Sequence, residues 1–128
     1  MIHLDTNVLV ALADPASTES RTLSESVLRG EQLGISSVAW TAYLCGPVLL
    51  QERQTAQAML GKPEPLTDDD AALAAYLFNQ LGRRRGSLLD CMIAAIAIRS
   101  NAHLFTRNMA DFAPMESLGL SLYSDHYS

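Results

Sequence analysis

Apolar and polar positions fall into short blocks along the chain, and the period changes from block to block. Met1-Ile2-His3-Leu4 is a brief apolar run that predicts a strand, halted by Asp5. Thr6 to Ala13 reads as a turn into a helix, which Asp14-Pro15 ends. From Ser17 to Leu28, the positions Leu23, Val27 and Leu28 recur at helical spacing, and Gly30 closes the segment. Gln32 to Val38 is short and partly β-branched, which predicts a second strand. Ala39 to Leu50 reads as a buried helix, interrupted or bent near Gly46-Pro47, with Gln51 to Leu60 as a more polar helix after it.

Beyond the loop Gly61-Lys62-Pro63-Glu64-Pro65, Thr67 followed by Asp68, Asp69 and Asp70 marks a helix start. Acids there meet the positive end of the helix dipole, and the triple is expected to be solvated. That helix should run to Gly82. The basic loop Arg83-Arg84-Arg85-Gly86 leads to an Ala- and Ile-rich helix from Ser87 to about Arg99. His103 to Thr106 predicts a strand, Arg107 to Phe112 a turn into a short helix, and Leu120 to Tyr123 a last strand. Ser124 to Ser128 is expected to be a loose tail. No repeat or linker divides the chain, so residues 1–128 read as one domain. Short strands between helices predict an α/β fold with a mainly parallel central sheet.

Composition narrows the function. At 128 residues and 48% apolar, the chain can bury a core, and 18% charged residues exclude a disordered one. No apolar run reaches the ~18 residues of a membrane span, and the N-terminus lacks a signal-peptide pattern, so a cytoplasmic protein is expected. Nine basic against 14 acidic residues, a net charge of −5, argue against binding nucleic acid by bulk attraction. They leave open a nucleic-acid enzyme whose bases are local and whose acids hold metal. Cys45 and Cys91 form no paired motif and are expected as small buried apolar groups in a reducing compartment. Trp40 is expected in the core, while Lys62 and Arg99 carry no signal.

The candidate chemistry lies at strand ends. In parallel sheets ligands bind beyond the carboxyl ends of the strands. Two predicted strands end in polar signatures there: Leu4-Asp5-Thr6-Asn7, and Phe105-Thr106-Arg107-Asn108 with Asp111 a turn later. Asp5 reads equally as a helix N-cap or a functional carboxylate. Asp90 sits in an almost wholly apolar helix, where an ionised carboxylate costs several kcal/mol unless paired or cation-bound. A capping box, Ser87-x-x-Asp90, would also account for it. Asp111 is unremarkable alone, and Asn108 is placed to cap or orient it. Three Asp at one sheet edge without a His cluster form a hard oxygen site that prefers Mg²⁺ or Mn²⁺ to zinc and suits phosphodiester hydrolysis. A haloacid-dehalogenase-like phosphatase would need a second Asp where Asn7 stands, and is set aside.

In order and spacing, these segments resemble the PIN domain, and within it the VapC-type toxins of type II toxin–antitoxin pairs. The resemblance is carried by Ile2-His3-Leu4-Asp5-Thr6-Asn7, Ile35-Ser36-Ser37-Val38-Ala39-Trp40, Leu44-Cys45-Gly46-Pro47, Arg83 through Ala95, and Phe105 through Phe112. It implies a three-layer α/β/α sandwich, an Mg²⁺- or Mn²⁺-dependent endoribonuclease acting on transfer or ribosomal RNA, a homodimer, and a VapB-type antitoxin that blocks the site. Carried over by position, Asp5, Asp90 and Asp111 match the first, third and fourth metal-binding acids. Asn7, Thr106 and Asn108 match supporting polar positions, the latter two beside the fourth acid. Arg83, Arg84, Arg85 and Arg107 are placed to hold RNA, against the plainer reading of a solvated basic loop.

The second acid of the pattern is absent. Trp40-Thr41-Ala42-Tyr43-Leu44-Cys45-Gly46-Pro47 keeps the family's flanking residues but has Ala42 at the Glu position. An engineered Glu→Ala change, made so that a toxic nuclease can be produced, is the first explanation, and a natural three-acid variant the second. Tyr43 points elsewhere by about 100° and is not expected to substitute. The competing function is a non-catalytic PIN-like module that binds RNA or its antitoxin, and Ala42 is the feature that favours it.

Overall fold

Four parallel strands build the central sheet in the computed structural model, which describes residues 1–124. They are β1 (Ile2–Leu4), β2 (Leu33–Gly34), β3 (His103–Phe105) and β4 (Ser121–Leu122), in spatial order β2-β1-β3-β4. Ile2 lies opposite Leu33 on one side and His103 on the other, and Leu4 lies opposite Phe105. All three residues of β1 are buried, as expected for a strand covered on both faces in a parallel sheet. The chain passes from β1 to β2 on one side and later returns to β3 on the other. The boundary between β1 and β3 is therefore the topological switch point, where open α/β sheets form a crevice.

Seven α-helices cover the sheet among the described residues: α1 (Thr6–Ala11), α2 (Thr18–Leu28), α3 (Ser37–Leu44), α4 (Leu50–Leu60), α5 (Asp68–Gln80), α6 (Leu88–Arg99) and α7 (Met109–Phe112). The architecture is the three-layer α/β/α arrangement expected. Helix α6 supplies the centre of the core with Cys91, Ile93, Ala94, Ala95, Ile96 and Ala97 all buried, and α5 packs against it through Ala74 and Leu77. The small alanines let the two backbones approach closely. None of the described helices is long and apolar enough to cross a membrane.

Several local expectations need correction. The second strand is only Leu33–Gly34, because Ser36 accepts the Ala39 N–H at 3.0 Å and starts α3 where strand had been expected to continue. The break at Gly46-Pro47 is real, and α4 restarts with Glu52 accepting the Leu49 N–H at 3.0 Å. On α2 the buried face is Thr22, Leu23 and Ser26, which leaves Val27 and Leu28 exposed. Cys91 is buried as expected but Cys45 is exposed. Trp40 is half-buried beside Tyr43, their ring centroids 5.4 Å apart. The expected tail lies, from residue 125 onward, outside the described residues.

The largest correction concerns Asp70 and Arg99. Asp70 is 1% exposed, not solvated. It forms a capping box with Thr67, and Arg99 Nε donates to it at 2.8 Å. Arg99 Nη2 also donates to the Pro65 carbonyl at 2.9 Å and pairs with Glu64 at 3.3 Å. Burial alone would push the Asp70 carboxyl up. Hydrogen bonds from Arg99 and Thr67 outweigh it and hold the carboxyl below its ordinary value. The pair ties the loop before α5 to the end of α6, so it belongs to the fold.

Candidate metal centre

Asp5 is the first residue past β1, and its backbone N–H donates to the Phe105 carbonyl of β3 at 2.9 Å. The carboxylate is used twice. Oδ1 accepts the Thr6 N–H at 2.8 Å and caps α1, while Oδ2 accepts the Thr106 hydroxyl at 2.7 Å. Cap and crevice residue are thus the same group. Across the switch point, Asn7 Oδ1 accepts the Arg107 N–H at 3.2 Å and joins the two strand-end loops.

The partners of Thr106 and Asn108 differ from the expected ones. Thr106 fixes Asp5, not Asp111. Its oxygen also accepts the Asn108 N–H at 3.0 Å, which holds the hydroxyl hydrogen toward Asp5. The Asn108 side chain makes no capping bond; its backbone carbonyl instead accepts the Asp111 N–H at 3.0 Å. Asn108 therefore supports Asp111 through the main chain.

Asp90 lies in the first turn of α6, and the capping-box account of it fails. Ser87 has φ −91° and ψ −4°, not the extended geometry of a cap, and its hydroxyl donates to the Arg84 carbonyl at 2.7 Å. What Asp90 does feel is its neighbours. Burial first, then the Asp5 and Asp111 carboxylates, push its carboxyl up to about 6, with Arg84 pulling the other way. Three acids from three elements thus share one electrostatic field. Asp111 is half-exposed, and its Oδ1 lies 3.2 Å from Arg84 Nη2.

Such a donor set fits a hard divalent cation. All the donors are carboxylate oxygens, and their mutual repulsion is what a dication relieves. As the side chains stand, no three His, Cys, Asp or Glu among the described residues enclose an ion position. Position 42 bears on this. Ala42 is exposed and lines a cleft of about 410 Å³ together with Thr6, the neighbour of Asp5. The Thr6 hydroxyl donates to the Ala39 carbonyl at 2.8 Å and so sets α3 against α1. None of the three acids lines this cleft, whose walls include Leu9, Val10, Tyr43 and Val48, and Ala42 itself offers no ligand. Tyr43 turns into the core and does not take its place.

All three arginines of the basic loop are exposed, and two of them have side-chain partners. Arg83 takes a left-handed φ of 56°, and its Nε donates to Asn79 Oδ1 at 3.0 Å. Arg84 reaches Asp111, while Arg85 and Arg107 are exposed. The sequence reading missed two links. Thr6 as the tie between α1 and α3 has a signal in its place directly after Asp5. Arg84 as partner of an acid has none, since three adjacent arginines look alike.

The PIN domain family model matches residues 2–113. Among solved structures, the chain is similar to VapBC2 from Rickettsia felis bound to a promoter DNA fragment, at 21% identity and TM-score 0.72, covering 97% of this chain and 100% of that one. FitAcB from Neisseria gonorrhoeae is 20% identical with TM-score 0.71, and both chains are covered in full, 100% each. VapC20 of Mycobacterium tuberculosis, a toxin that cleaves the sarcin–ricin loop, is 14% identical with TM-score 0.63, covering 89% and 95%. No curated protein matches.

Proposed function

Since the chain belongs to the PIN domain family, we propose that it is the toxin of a VapBC-type toxin–antitoxin pair, a metal-dependent endoribonuclease that hydrolyses RNA phosphodiesters. One observation carries the reading: Asp5 past the end of β1, Asp90 in the first turn of the apolar helix α6 and Asp111 in α7 come close enough for their charges to act on one another. A structural acid gains nothing from two like charges at its side, whereas a metal ligand needs them.

In this proposal Asp5, Asp90 and Asp111 hold Mg²⁺ or Mn²⁺. The ion, when bound, supplies positive charge to the scissile phosphate and acidifies water. Thr106 keeps the Asp5 carboxylate in one orientation, and Asn7 and Asn108 fix the loops that carry Arg107 and Asp111. Arg83, Arg85 and Arg107 contact RNA phosphates, with Arg84 in the same loop. The substrate is transfer or ribosomal RNA. The chain acts in the cytoplasm as a homodimer held in check by a VapB-type antitoxin. Several structures of this fold are toxin–antitoxin assemblies, which supports that partner.

Ala42 stands where the pattern has Glu, by engineering or by natural change, and leaves this chain strongly impaired. The same residue favours the second reading, a PIN-like module that binds RNA or antitoxin without cutting. Cleavage of structured RNA with Mg²⁺ separates them. The Ala42→Glu form is expected to cut at least ~100-fold faster than the parent chain, the scale of losing one transition-state contact. Equal rates would sink the proposal for residue 42, and no cleavage by either form would favour the binding module.

A further inference from the structure

Arg84 stands apart from its neighbours in the basic loop. Its Nη2 lies 3.2 Å from Asp111 Oδ1, and its charge also opposes the upward push on Asp90. Among the described residues it is the one cation in ion-pair contact with any of the three acids. An exposed pair of this kind is ordinarily worth little, because the long side chain gives up freedom to form it. Here the turn fixes the backbone from which the guanidinium reaches, and leaves the side chain's own freedom to be given up. The Arg84 carbonyl accepts both the Ser87 N–H at 3.1 Å and the Ser87 hydroxyl at 2.7 Å. Arg83 and Gly86 take left-handed φ values of 56° and 84° on either side, and Arg83 is anchored on Asn79. Ser87 thus pins Arg84 to the start of the helix that carries Asp90. The Ser87 hydroxyl, which does not cap α6, holds the Arg84 main chain.

We infer that Arg84 is a built-in counter-cation for the three-acid centre, one that must leave Asp111 before a divalent ion can bind. The inference rests on the metal-centre reading above and adds a gate to it. A guanidinium and a dication compete for the same carboxylate, so Arg84 lowers divalent affinity while shielding the acids from one another in the metal-free chain. With Ala42 in place of a carboxylate, the centre has one negative charge fewer to draw the dication in, and the balance shifts toward Arg84.

The test is Mn²⁺ affinity, read from the free-ion resonance signal, for the parent chain, Arg84→Gln, Arg84→Lys and Asp90→Asn. Arg84→Gln is expected to bind Mn²⁺ roughly 3- to 10-fold more tightly, the size of one partly screened local charge. Arg84→Lys should stay within about twofold of the parent, since it keeps the charge. In the parent chain, the Arg84 Nε–H resonance should move from its ion-paired position as Mg²⁺ is added, a readout that needs no variant to fold. If Arg84→Gln binds no tighter while Asp90→Asn loses Mn²⁺, Arg84 is not the gate and the metal centre stands. An Arg84 signal that stays unmoved while the Asp90 carboxyl responds to Mg²⁺ likewise rules out the gate and keeps the centre. If neither the parent nor Arg84→Gln, nor an Ala42→Glu form measured beside them, binds Mn²⁺, the gate and the metal centre fall together.

Discussion

The Thr106 hydroxyl donates to Asp5 Oδ2 at 2.7 Å across a separation of 101 residues, and both groups are buried. The bond crosses the switch point between β1 and β3, so it couples the sheet to the orientation of an acid at its edge. Thr106→Val keeps the shape and removes the donor. The buried carboxylate oxygen is then short of a partner, and the cost should be about 1–3 kcal/mol. Urea unfolding checks it, with Thr106→Ser expected to recover most of the loss. A Thr106→Val midpoint equal to the parent's would show that the bond adds no stability.

Asp90 should make the protein less stable as pH rises. Its folded value, about 6, is above the ordinary 3.8, so the folded state holds the proton more tightly than the unfolded chain. That contribution is fully present below pH ~4 and is lost as pH rises through about 6. Asp90→Asn cannot ionise and should be more stable than the parent at pH 8 by roughly 1 kcal/mol, discounted for partial solvent screening. The gap should close by pH ~4, and Mg²⁺ should narrow it at pH 8 by stabilising only the parent. Thermal melts across pH, with and without Mg²⁺, decide the matter.

The Asp70–Arg99 pair predicts a structural loss. Arg99→Ala leaves a carboxylate that is 1% exposed without its partly exposed cation, and should cost about 1–3 kcal/mol. Because the folded Asp70 value is lowered, the stability it contributes is present above the ordinary carboxylate value and lost as pH falls through the folded one. Arg99→Ala should remove that acid-side loss. The double variant Asp70→Leu with Arg99→Met should regain most of the stability, as buried ion pairs replaced by apolar groups often do. A double variant no better than Arg99→Ala alone would show that the pair's geometry, and not its charge, is needed.

The contrast between Asp5 and Asp70 shows what the sequence made legible. Asp5 could be read because it ends an apolar strand in a predicted parallel sheet, and topology then dictates a crevice at that edge. The parallel sheet, the break at Pro47 and the helix start at Thr67 were readable for the same local reasons. Asp70 was misjudged because its partner lies 29 residues away and three adjacent acids carry no mark of which one turns inward. Thr106 was assigned to the wrong acid because Asp111 is near in sequence, whereas Asp5 is near in space. Helical spacing of Leu23, Val27 and Leu28 fixed α2 but not which stripe faces the core, and only Leu23 of the three is buried.

His3 and Asp90 act on the pH profile in opposite directions, and this gives the last prediction. His3 is 2% exposed in β1, and its Nδ1 has no hydrogen-bond partner among the described residues. Burial lowers its value from 6.5; Glu64 raises it, and Arg99 and the N-terminus lower it further. The unfolded chain therefore takes up a proton that the folded chain resists. Stability from His3 is full above pH ~6.5 and falls as pH drops toward the folded value. Asp90 contributes the reverse slope up to about 6, so the two should partly cancel wherever the His3 loss overlaps it. Each variant should uncover the other group. Asp90→Asn should fall more steeply with acid than the parent, and His3→Leu should lose stability as pH rises through the same interval. If both variants keep the parent's slope, neither group titrates with folding there.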